Sequence, residues 1–415
     1  MTPASGDPDS PTGARRCQAA DAKTSPTAGD DTGVLLAAVE RIAPIVREHA
    51  PEAERQYRLP AAIVEAVRTA GLYRMFTPKS LGGVELDPLR VLRVIEALAM
   101  LDSATGWNVS ASLAVVRFVA ALPDETVELF FADSPDTVFA ATLFPTGKAV
   151  PTGSGYRVTS RGRFGSGSNQ AQWIMMIATL DDAAAESPSA IGVFFSPDEV
   201  INRNDWYTLG MRGTGSHDID AIDVVVPRSR TFALQPGLAS GKHFGGPLYR
   251  FPYIGHTAAV VAPVALAIAE SAVNRLLALV EVEGAATAGK PLKERASLHT
   301  HLAEAKASVG SARALLIDVV GDAWDTVVAG RSVTMAQRAD LQLAQANAAA
   351  GSFRAVELVM RAAGTSAIFP RNSLERHFRD IATLRQHAIF SENRFETAGR
   401  LYLGLLPEDY PAAIL

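Results

Sequence analysis

Cysteine is nearly absent from this chain of 415 residues, in which Cys17 is the single one. One thiol can form neither an internal disulfide framework nor a metal site built from several cysteines. An excess of basic charge is also missing, since 39 Lys and Arg residues face 44 Asp and Glu residues and the formal net charge is −5. Nucleic acid is therefore not expected as a partner, and neither is an anionic membrane surface.

A long, uninterrupted apolar run is missing as well. The longest one, residues 257–269, contains Pro263 and is followed by Glu270. A helix needs about 20 apolar residues to cross a bilayer, so no membrane span is expected. Residues 1–33 are rich in Pro, Gly, Ser, Thr and Asp, which predicts a disordered tail that is not cleaved. Residues 406–415 are predicted to form a second tail, and we expect the protein in the cytoplasm.

The chain does have enough apolar material for a large core, because 48% of its residues are hydrophobic and 20% are charged. Across residues 34–135 apolar residues recur at three- and four-residue steps, which predicts an N-terminal helical domain. Pro60 and Gly71 delimit one helix of this domain. Asp102 is the expected N-cap of a central helix.

Residues 136–235 have a different period. Short runs rich in Val, Ile, Phe, Thr and Tyr alternate with Gly, Pro and Ser clusters, which predicts an antiparallel, barrel-like β-domain. Its strands are expected at 138–144, 156–164, 173–180, 191–195 and 219–226. The long helical segments and short connections of residues 245–405 predict a C-terminal four-helix bundle. Its helices are expected at 257–282, 292–328, 334–363 and 374–403. The predicted fold class is α+β and mainly α.

Standard motifs exclude several functions. The chain has no P-loop and no His-Glu-x-x-His helix, and no metal site is expected. Residues 213–215 begin like a dinucleotide fingerprint, but Asp218 stands where the third glycine belongs. Two glycine-rich clusters remain, at 162–169 and 209–218. Small residues let a planar ligand approach the backbone and its N–H groups, although an ordinary glycine-rich turn has the same composition.

Taken in order, these clusters and three other stretches resemble the acyl-CoA dehydrogenase superfamily over residues 34–405. The Met-Arg-Gly-Thr-Gly-Ser stretch at 211–216 runs into a strand that ends in Val226-Pro227. Pro-Lys-Ser-Leu-Gly-Gly at 78–83 and Ser-Ala-Thr-Gly-Trp at 103–107 also match, as does Arg379-Asp380 late in the bundle. The resemblance implies a flavin enzyme, usually a homotetramer, with the three-part fold described above.

The position of the catalytic base separates two chemistries of this superfamily. Dehydrogenases need a carboxylate that removes a proton from a thioester, shortly after Arg-Asp or at the start of the first bundle helix. Residues 381–390 and 251–257 contain none, and Glu392 comes too late. The sequence instead resembles the oxygenase components of two-component flavin monooxygenases. The resemblance lies in His387 after Arg379-Asp380 and in the pair Phe164-x-Ser166. These enzymes obtain reduced flavin from a separate NAD(P)H-dependent flavin reductase.

The resemblance also implies roles for individual residues. His387 would hydrogen-bond to a C4a-(hydro)peroxyflavin and tune its protonation near neutral pH, and Ser166 would hold the proton on flavin N5. Trp107 and Val115 would line the substrate pocket, and Arg379 and Asp380 would form a structural ion pair near the flavin. The expected flavin contacts are Thr142, Phe164, Gly165, Ser166, Trp206, Thr214, Gly215 and Ser216. For most of these residues an ordinary packing or turn role stays open.

The expected cofactor is reduced FMN or FADH2 with O2 as co-substrate. Residues 284–290 offer only Lys290 where dehydrogenases hold the flavin pyrophosphate with an arginine, which favours FMN. Phenol-hydroxylating relatives carry a further histidine on the central helix, and residues 113–117 lack it. Indoles, polyketide aromatics, amines and thioethers therefore stay open as substrates. Two alternatives are an acyl-CoA dehydrogenase with a displaced base and a non-catalytic scaffold.

Overall fold

The N-terminal part of the protein is helical, as predicted. The structure is a computed structural model that describes residues 30–144, 147–181, 190–234, 241–282 and 291–405. Its first five α-helices are α1 (Asp31–Gln56), α2 (Ala61–Thr69), α3 (Pro88–Leu101), α4 (Ser103–Val119) and α5 (Asp124–Phe131). Helix α4 is the central helix, because nearly every one of its residues is buried.

Local capping explains where these helices begin and end. Asp102 caps α4, since its carboxylate accepts from the backbone N of Thr105 at 2.8 Å. Gly71 follows α2 with a φ of +73°, which favours glycine. The predicted tail of 1–33 is wrong for its last residues, because α1 begins at Asp31 and Asp30 accepts from the backbone N of Gly33 at 3.1 Å. Residues 1–29 and 406–415 lie outside the described residues.

The middle of the chain forms one mixed sheet of eight strands. They are β1 (Phe139–Thr142), β2 (Lys148–Pro151), β3 (Gly155–Gly165), β4 (Trp173–Leu180), β5 (Ala190–Phe195), β6 (Ile201–Asn202), β7 (His217–Pro227) and β8 (Thr231–Ala233). Their order is β6-β7-β3-β2-β4-β5-β8, with β1 also paired to β4. The purely antiparallel expectation is wrong, because β1 and β2 both pair with β4 in parallel. Both short strands lie beside β4 and run in the same direction as β4.

The C-terminal part is a helical bundle. Its helices are α6 (Pro247–Arg250), α7 (Tyr253–Val260), α8 (Ala262–Val282), α9 (Ala296–Val328), α10 (Met335–Ala363), α11 (Leu374–Leu384) and α12 (Asn393–Tyr402). The stretch Tyr253–Glu281 is helical over 29 residues and is long and apolar enough to span a membrane, contrary to the expectation from the apolar run alone. However, 89% of its most apolar window is buried inside the protein, as in a core helix.

The predicted single helix over 374–403 is interrupted. Helix α11 ends at Leu384, and a short 3-10 turn at Ala388–Phe390 separates it from α12. His387 has extended backbone angles, with φ −66° and ψ 136°, and its Nδ1 atom accepts from the backbone N of Ile389 at 3.2 Å. A side chain that hydrogen-bonds to the backbone in this way competes with the helix and favours a cap. The interruption places His387 at the start of this 3-10 turn, as its N-cap, instead of on a helix face.

Candidate active site

Four side chains from three segments form a hydrogen-bonded chain. Trp107 on α4 donates its indole N–H to Oγ of Ser166 at 3.0 Å. Oγ of Ser166 lies 2.7 Å from Oγ of Ser216, which lies 2.7 Å from Oγ1 of Thr214. Thr214 donates to the carbonyl oxygen of Met211 at 2.8 Å. We call Trp107, Ser166, Ser216 and Thr214 the hydroxyl chain.

The hydroxyl chain has a defined proton direction. Each hydroxyl has one proton, and Thr214 uses its proton on the Met211 carbonyl. Ser216 must then donate to Thr214, and Ser166 must donate to Ser216. The oxygen of Ser166 already accepts from Trp107, so one of its two lone pairs is left. Ser166 is half-buried, and this lone pair can accept one more hydrogen bond from a ligand N–H.

His387 lies next to the hydroxyl chain. Its ring meets that of Trp107 edge to face with the centroids 5.2 Å apart, and Phe390 is 6.3 Å away. His387 is exposed to solvent although protein atoms surround it densely, as expected for a side chain on the wall of a cleft. The geometry therefore brings together three residues that the sequence predicted separately.

Burial decides the protonation state of His387. Burial and then the nearby charge of Arg394 lower the pKa of His387 to about 4. The ring is therefore neutral near pH 7, and its predicted role beside the flavin stays a prediction. Because Nδ1 accepts from Ile389, the proton belongs on Nε2. No residue in the described part of the chain hydrogen-bonds to Nε2, so this N–H can donate to a ligand.

The described residues place no carboxylate on this site. Arg394 is the charged group that shifts the pKa of His387, and no described Asp or Glu hydrogen-bonds to Trp107 or Ser166. Glu392 points away, because its side chain is 84% exposed and pairs with Arg385 at 3.1 Å. The absence of a proton-abstracting acid at this site stays a prediction.

An exposed aromatic pair lies beside the hydroxyl chain. Phe164, at the end of β3, has a φ of +64° and is 45% exposed. Its ring meets that of Trp206 edge to face at 6.2 Å. Trp206 donates its indole N–H to the same Met211 carbonyl that accepts from Thr214, at 3.1 Å. A positive φ is uncommon for a residue other than glycine and marks a constrained position.

Close packing explains why glycine stands at two positions of the predicted flavin site. Gly165 pairs with His217 across the β3–β7 ladder, and a Cβ on Gly165 would lie 2.4 Å from Cδ1 of Ile219. Gly215 has a φ of +52°, and a Cβ there would lie 2.8 Å from Oδ1 of Asn169. Both glycines therefore permit the close packing that positions Ser166 and Ser216, and direct contact with flavin stays a prediction.

Two predicted site residues lie apart from this cluster. The hydroxyl oxygen of Thr142 is covered by protein and has no hydrogen-bond partner among the described residues. It packs against Gly162, where a Cβ would approach it to 2.1 Å. Val115 is 2% exposed and belongs to the main hydrophobic core. Their roles toward flavin and substrate stay predictions without a contact that supports them.

Arg379 and Asp380 do not pair with each other, which corrects the expected ion pair. Neighbouring residues of a helix point in different directions. Asp380 is buried and accepts from Oγ of Ser103 and from the backbone N of Met211, both at 2.6 Å. Arg379 instead binds Glu375 and Glu54, each at 2.6 Å. Asp380 therefore ties α11 to the start of α4 and to the loop that carries Thr214 and Ser216.

Arg376 is a residue of this network that the sequence analysis missed. Its guanidinium lies 2.5 Å from Asp102, the cap of α4, and 3.6 Å from Asp380. The spacing of Arg376 and Asp380, four residues apart on one helix, is a signal that could have found it. His217, the first residue of β7, is buried and accepts from the backbone N of Trp206 through Nδ1 at 3.0 Å. It therefore acts as a support for the loop.

Comparison with known protein families agrees with this fold. Residues 35–125 match the family model of the acyl-CoA dehydrogenase N-terminal domain. Residues 259–392 match the model of the acyl-CoA dehydrogenase C-terminal domain. The two matches together cover more than half of the chain. The protein belongs to the acyl-CoA dehydrogenase superfamily.

Its similar proteins within that superfamily are named monooxygenases. Indole-3-acetate monooxygenase of Pseudomonas putida is 29% identical over 86% of this chain and 90% of its own. The oxygenase subunit HsaA of a Mycobacterium tuberculosis flavin-dependent monooxygenase is 28% identical over 91% of this chain and 98% of its own. Among solved structures, XiaF from Streptomyces, in complex with FADH2 and glycerol, has a TM-score of 0.84 at 24% identity, with 91% of this chain and 96% of that chain covered. The similarity to XiaF concerns the fold alone.

Proposed function

We propose that this protein is the oxygenase component of a two-component flavin-dependent monooxygenase that oxidises a small aromatic, heterocyclic or amine substrate. The observation that carries the proposal is the neutral imidazole of His387, which lies against Trp107, the residue whose indole N–H binds Ser166, with no described carboxylate hydrogen-bonded to Trp107 or Ser166. This arrangement suits the donation of hydrogen bonds. It does not suit the removal of a proton from a thioester, which needs a base.

The residues of the site fit a reduced flavin. Phe164 offers an exposed aromatic ring, and Ser166 offers a lone pair on a half-buried hydroxyl. When bound, reduced FMN or FADH2 supplies the two electrons with which one oxygen atom of O2 enters the substrate and the other leaves as water. Phe164, Ser166 and Trp206 would hold its ring system, and Ser216 would support Ser166 from behind. We propose FMN, because Lys290 is the only cation of residues 284–290, a segment outside the described residues.

Ser166 and His387 have complementary tasks in this proposal. Ser166 accepts a hydrogen bond from the N–H at flavin N5 and so keeps that proton in place. His387 would present its Nε2–H as a hydrogen-bond donor beside Trp107. Trp107 orients Ser166 by its indole N–H, and the buried residues of α4 limit the entry of water.

A separate NAD(P)H-dependent flavin reductase would provide the reduced flavin, as the name of the HsaA oxygenase subunit suggests for that relative. We further propose a homotetramer located in the cytoplasm, where NAD(P)H is available. Exposed apolar side chains in the C-terminal part of the chain support association; these are Ile368, Phe369, Leu403 and Leu405. Analytical ultracentrifugation would test the tetramer.

Stopped-flow spectroscopy tests the function. The protein is mixed with anaerobically reduced FMN and then with oxygenated buffer, and the absorbance of oxidised flavin is followed. We expect a lag before oxidised flavin appears, compared with FMN free in solution. Reoxidation without a lag, with FMN and FAD alike, would contradict the proposal. A preparation that is yellow with bound FAD and is bleached by an acyl-CoA would indicate a dehydrogenase instead.

A further inference from the structure

Asn108 is a buried amide beside the hydroxyl chain, and the site described above does not use it. It follows Trp107 on α4 and is 2% exposed. Its Nδ2 atom donates to the carbonyl oxygen of Ala104 at 2.9 Å and to that of Gly213 at 3.4 Å. Its Oδ1 atom accepts from Nε2 of Gln170 at 3.1 Å. A buried amide that is engaged at both ends fixes the position of its partners.

The contacts of Asn108 join the two loops that carry the serine hydroxyls of the site. The β3–β4 loop, residues 166–172, carries Ser166, and the loop before β7, residues 203–216, carries Ser216. Asn108 binds the first loop through Oδ1 and the second through Nδ2. The Oγ atoms of Ser166 and Ser216 stay 2.7 Å apart only while the two loops keep a fixed separation. The Asn108 amide therefore controls a distance within the hydroxyl chain without belonging to that chain.

The glycine at position 167 shows how closely the β3–β4 loop approaches Asn108. Gly167 has a φ of +75°, and a Cβ there would lie 2.7 Å from Oδ1 of Asn108 and 3.2 Å from Nε2 of Gln170. The backbone N of Gly167 donates to the carbonyl oxygen of Thr214 at 3.0 Å, which is a second link between the two loops. The two loops therefore meet at the Asn108 amide, and Ser166 is the residue directly before this meeting point.

The other buried polar residues of α4 make different contacts. Ser110 is fully buried and donates to the carbonyl oxygen of Val260 on α7 at 2.6 Å. Among the described residues, the side chains of α4 that hydrogen-bond to the two loops are Trp107, which donates to Ser166, and Asn108. Two consecutive positions of the central helix thus position the hydroxyl chain, one at a hydroxyl and the other at the loops.

An amide meets both demands at position 108. Gln170 presents an N–H and needs an acceptor, whereas the carbonyl oxygen of Gly213 needs a donor. A carboxylate in this place would accept from Gln170 but would face the carbonyl oxygen of Gly213. A leucine of similar size would leave the N–H and the carbonyl oxygen without this partner. The choice of asparagine therefore follows from the two loops and not from the helix that carries it.

We propose that Asn108 is a positioning residue, which binds both loops and so directs the remaining lone pair of Ser166 toward the ligand. This inference rests on the proposed function, because it assigns a further residue to the same site. Asn108 acts through Ser166, whereas the exposed ring of Phe164 and the indole of Trp206 do not depend on it. Its loss should therefore shorten the lag in flavin reoxidation more than it weakens the binding of FMN.

Stopped-flow reoxidation and an anaerobic titration with reduced FMN test this role on the full-length chain. We expect Asn108→Leu to shorten the lag about fivefold and to raise the dissociation constant for reduced FMN less than about twofold. Gln170→Met, at a half-buried loop position, should shorten the lag about threefold, and it decides the outcome if Asn108→Leu does not fold. The double variant should be no worse than Asn108→Leu alone, because both changes break the same contact.

Ser110→Ala is the matched control, since it also removes a buried hydrogen bond of α4. We expect its lag to stay within about twofold of wild type, even where its melting temperature falls as far as that of Asn108→Leu. An unchanged lag in both Asn108→Leu and Gln170→Met would overturn the proposal. Equal shortening by Ser110→Ala would overturn it as well, and so would a loss of FMN affinity as large as the loss of lag.

Hydrogen exchange of the protein without flavin separates the possible failures. The amide of Gly167 should exchange faster in Asn108→Leu and in Gln170→Met than in wild type, and at the wild-type rate in Ser110→Ala. Unchanged exchange of the β3–β4 loop in both loop-contact variants would overturn the proposal. A normal lag in wild type that both variants retain rejects this inference alone. A missing lag in wild type rejects the proposed function and the role that rests on it.

Discussion

At the scale of single residues, hydrogen-bond capacity and burial define the site. Ser166 has one lone pair left after its bonds to Trp107 and Ser216, and His387 has one N–H left after its bond to Ile389. Both free groups follow from counting protons and lone pairs. The sequence could indicate these two residues only through a family resemblance, because neither count is visible before the fold places Trp107 and Ile389 beside them.

Ser166→Ala tests the role of the remaining lone pair. The variant removes the acceptor for the proton on flavin N5, so the lag in flavin reoxidation should shorten about tenfold and more hydrogen peroxide should be released. Stopped-flow absorbance and a peroxide assay measure both effects. Ser216→Ala is the matched control, because it leaves the Ser166 oxygen in place, and we expect a change below about threefold. An equal effect of both variants would mean that the hydroxyl chain acts only by holding the loop before β7 in place.

At the scale of elements, the end of α11 positions the site. The repeat of apolar residues predicted one helix over 374–403, but the His387 cap to Ile389 interrupts it. A cap of this kind involves a histidine, which the usual capping signals do not include. Strands β2, β6 and β8 were missed because two to four residues are too few to show a period. The longer strands and helices were predicted within a few residues, since their periods extend over many positions.

Asp380→Ala tests the connection between α11, α4 and the loop before β7. The variant leaves the hydroxyl of Ser103, the backbone N of Met211 and the charge of Arg376 without their acceptor. We expect a loss of about 3–5 kcal/mol in the free energy of unfolding, measured by chemical denaturation, together with weaker flavin binding. Glu375→Ala removes a half-buried partner of Arg379 and should cost less than about 1 kcal/mol. Similar losses in both variants would contradict the central position of Asp380.

At the scale of the whole molecule, three histidines with lowered pKa values link stability to pH. Burial lowers the pKa of His256 to about 3 and those of His377 and His387 to about 4. In the unfolded chain histidine has a pKa of about 6.5. The unfolded state therefore takes up protons first as the pH falls below about 6.5, and the stability that these neutral rings contribute above that pH is lost progressively toward pH 4.

Denaturation measured at several pH values checks this dependence. Each proton taken up on unfolding lowers the free energy of unfolding by about 1.4 kcal/mol per pH unit between pH 6 and 4. His256→Phe should reduce that slope by about one proton, whereas the variant His299→Phe, at an exposed position on α9, should leave it unchanged. A slope that is the same in wild type and His256→Phe would show that His256 is protonated in the folded protein.

His387 has the central role as a neutral imidazole whose Nε2–H would serve as a hydrogen-bond donor to a bound reduced flavin and O2. The most direct measurement is the lag in flavin reoxidation for wild type, His387→Ala and the control His299→Ala, each mixed with reduced FMN and oxygen. We predict that His387→Ala shortens the lag at least tenfold or abolishes it, that His299→Ala behaves as wild type, and that the wild-type lag does not change with a pKa between 5.5 and 7.5. An unchanged lag in His387→Ala would contradict the assignment and leave His387 as the N-cap of the 3-10 turn Ala388–Phe390.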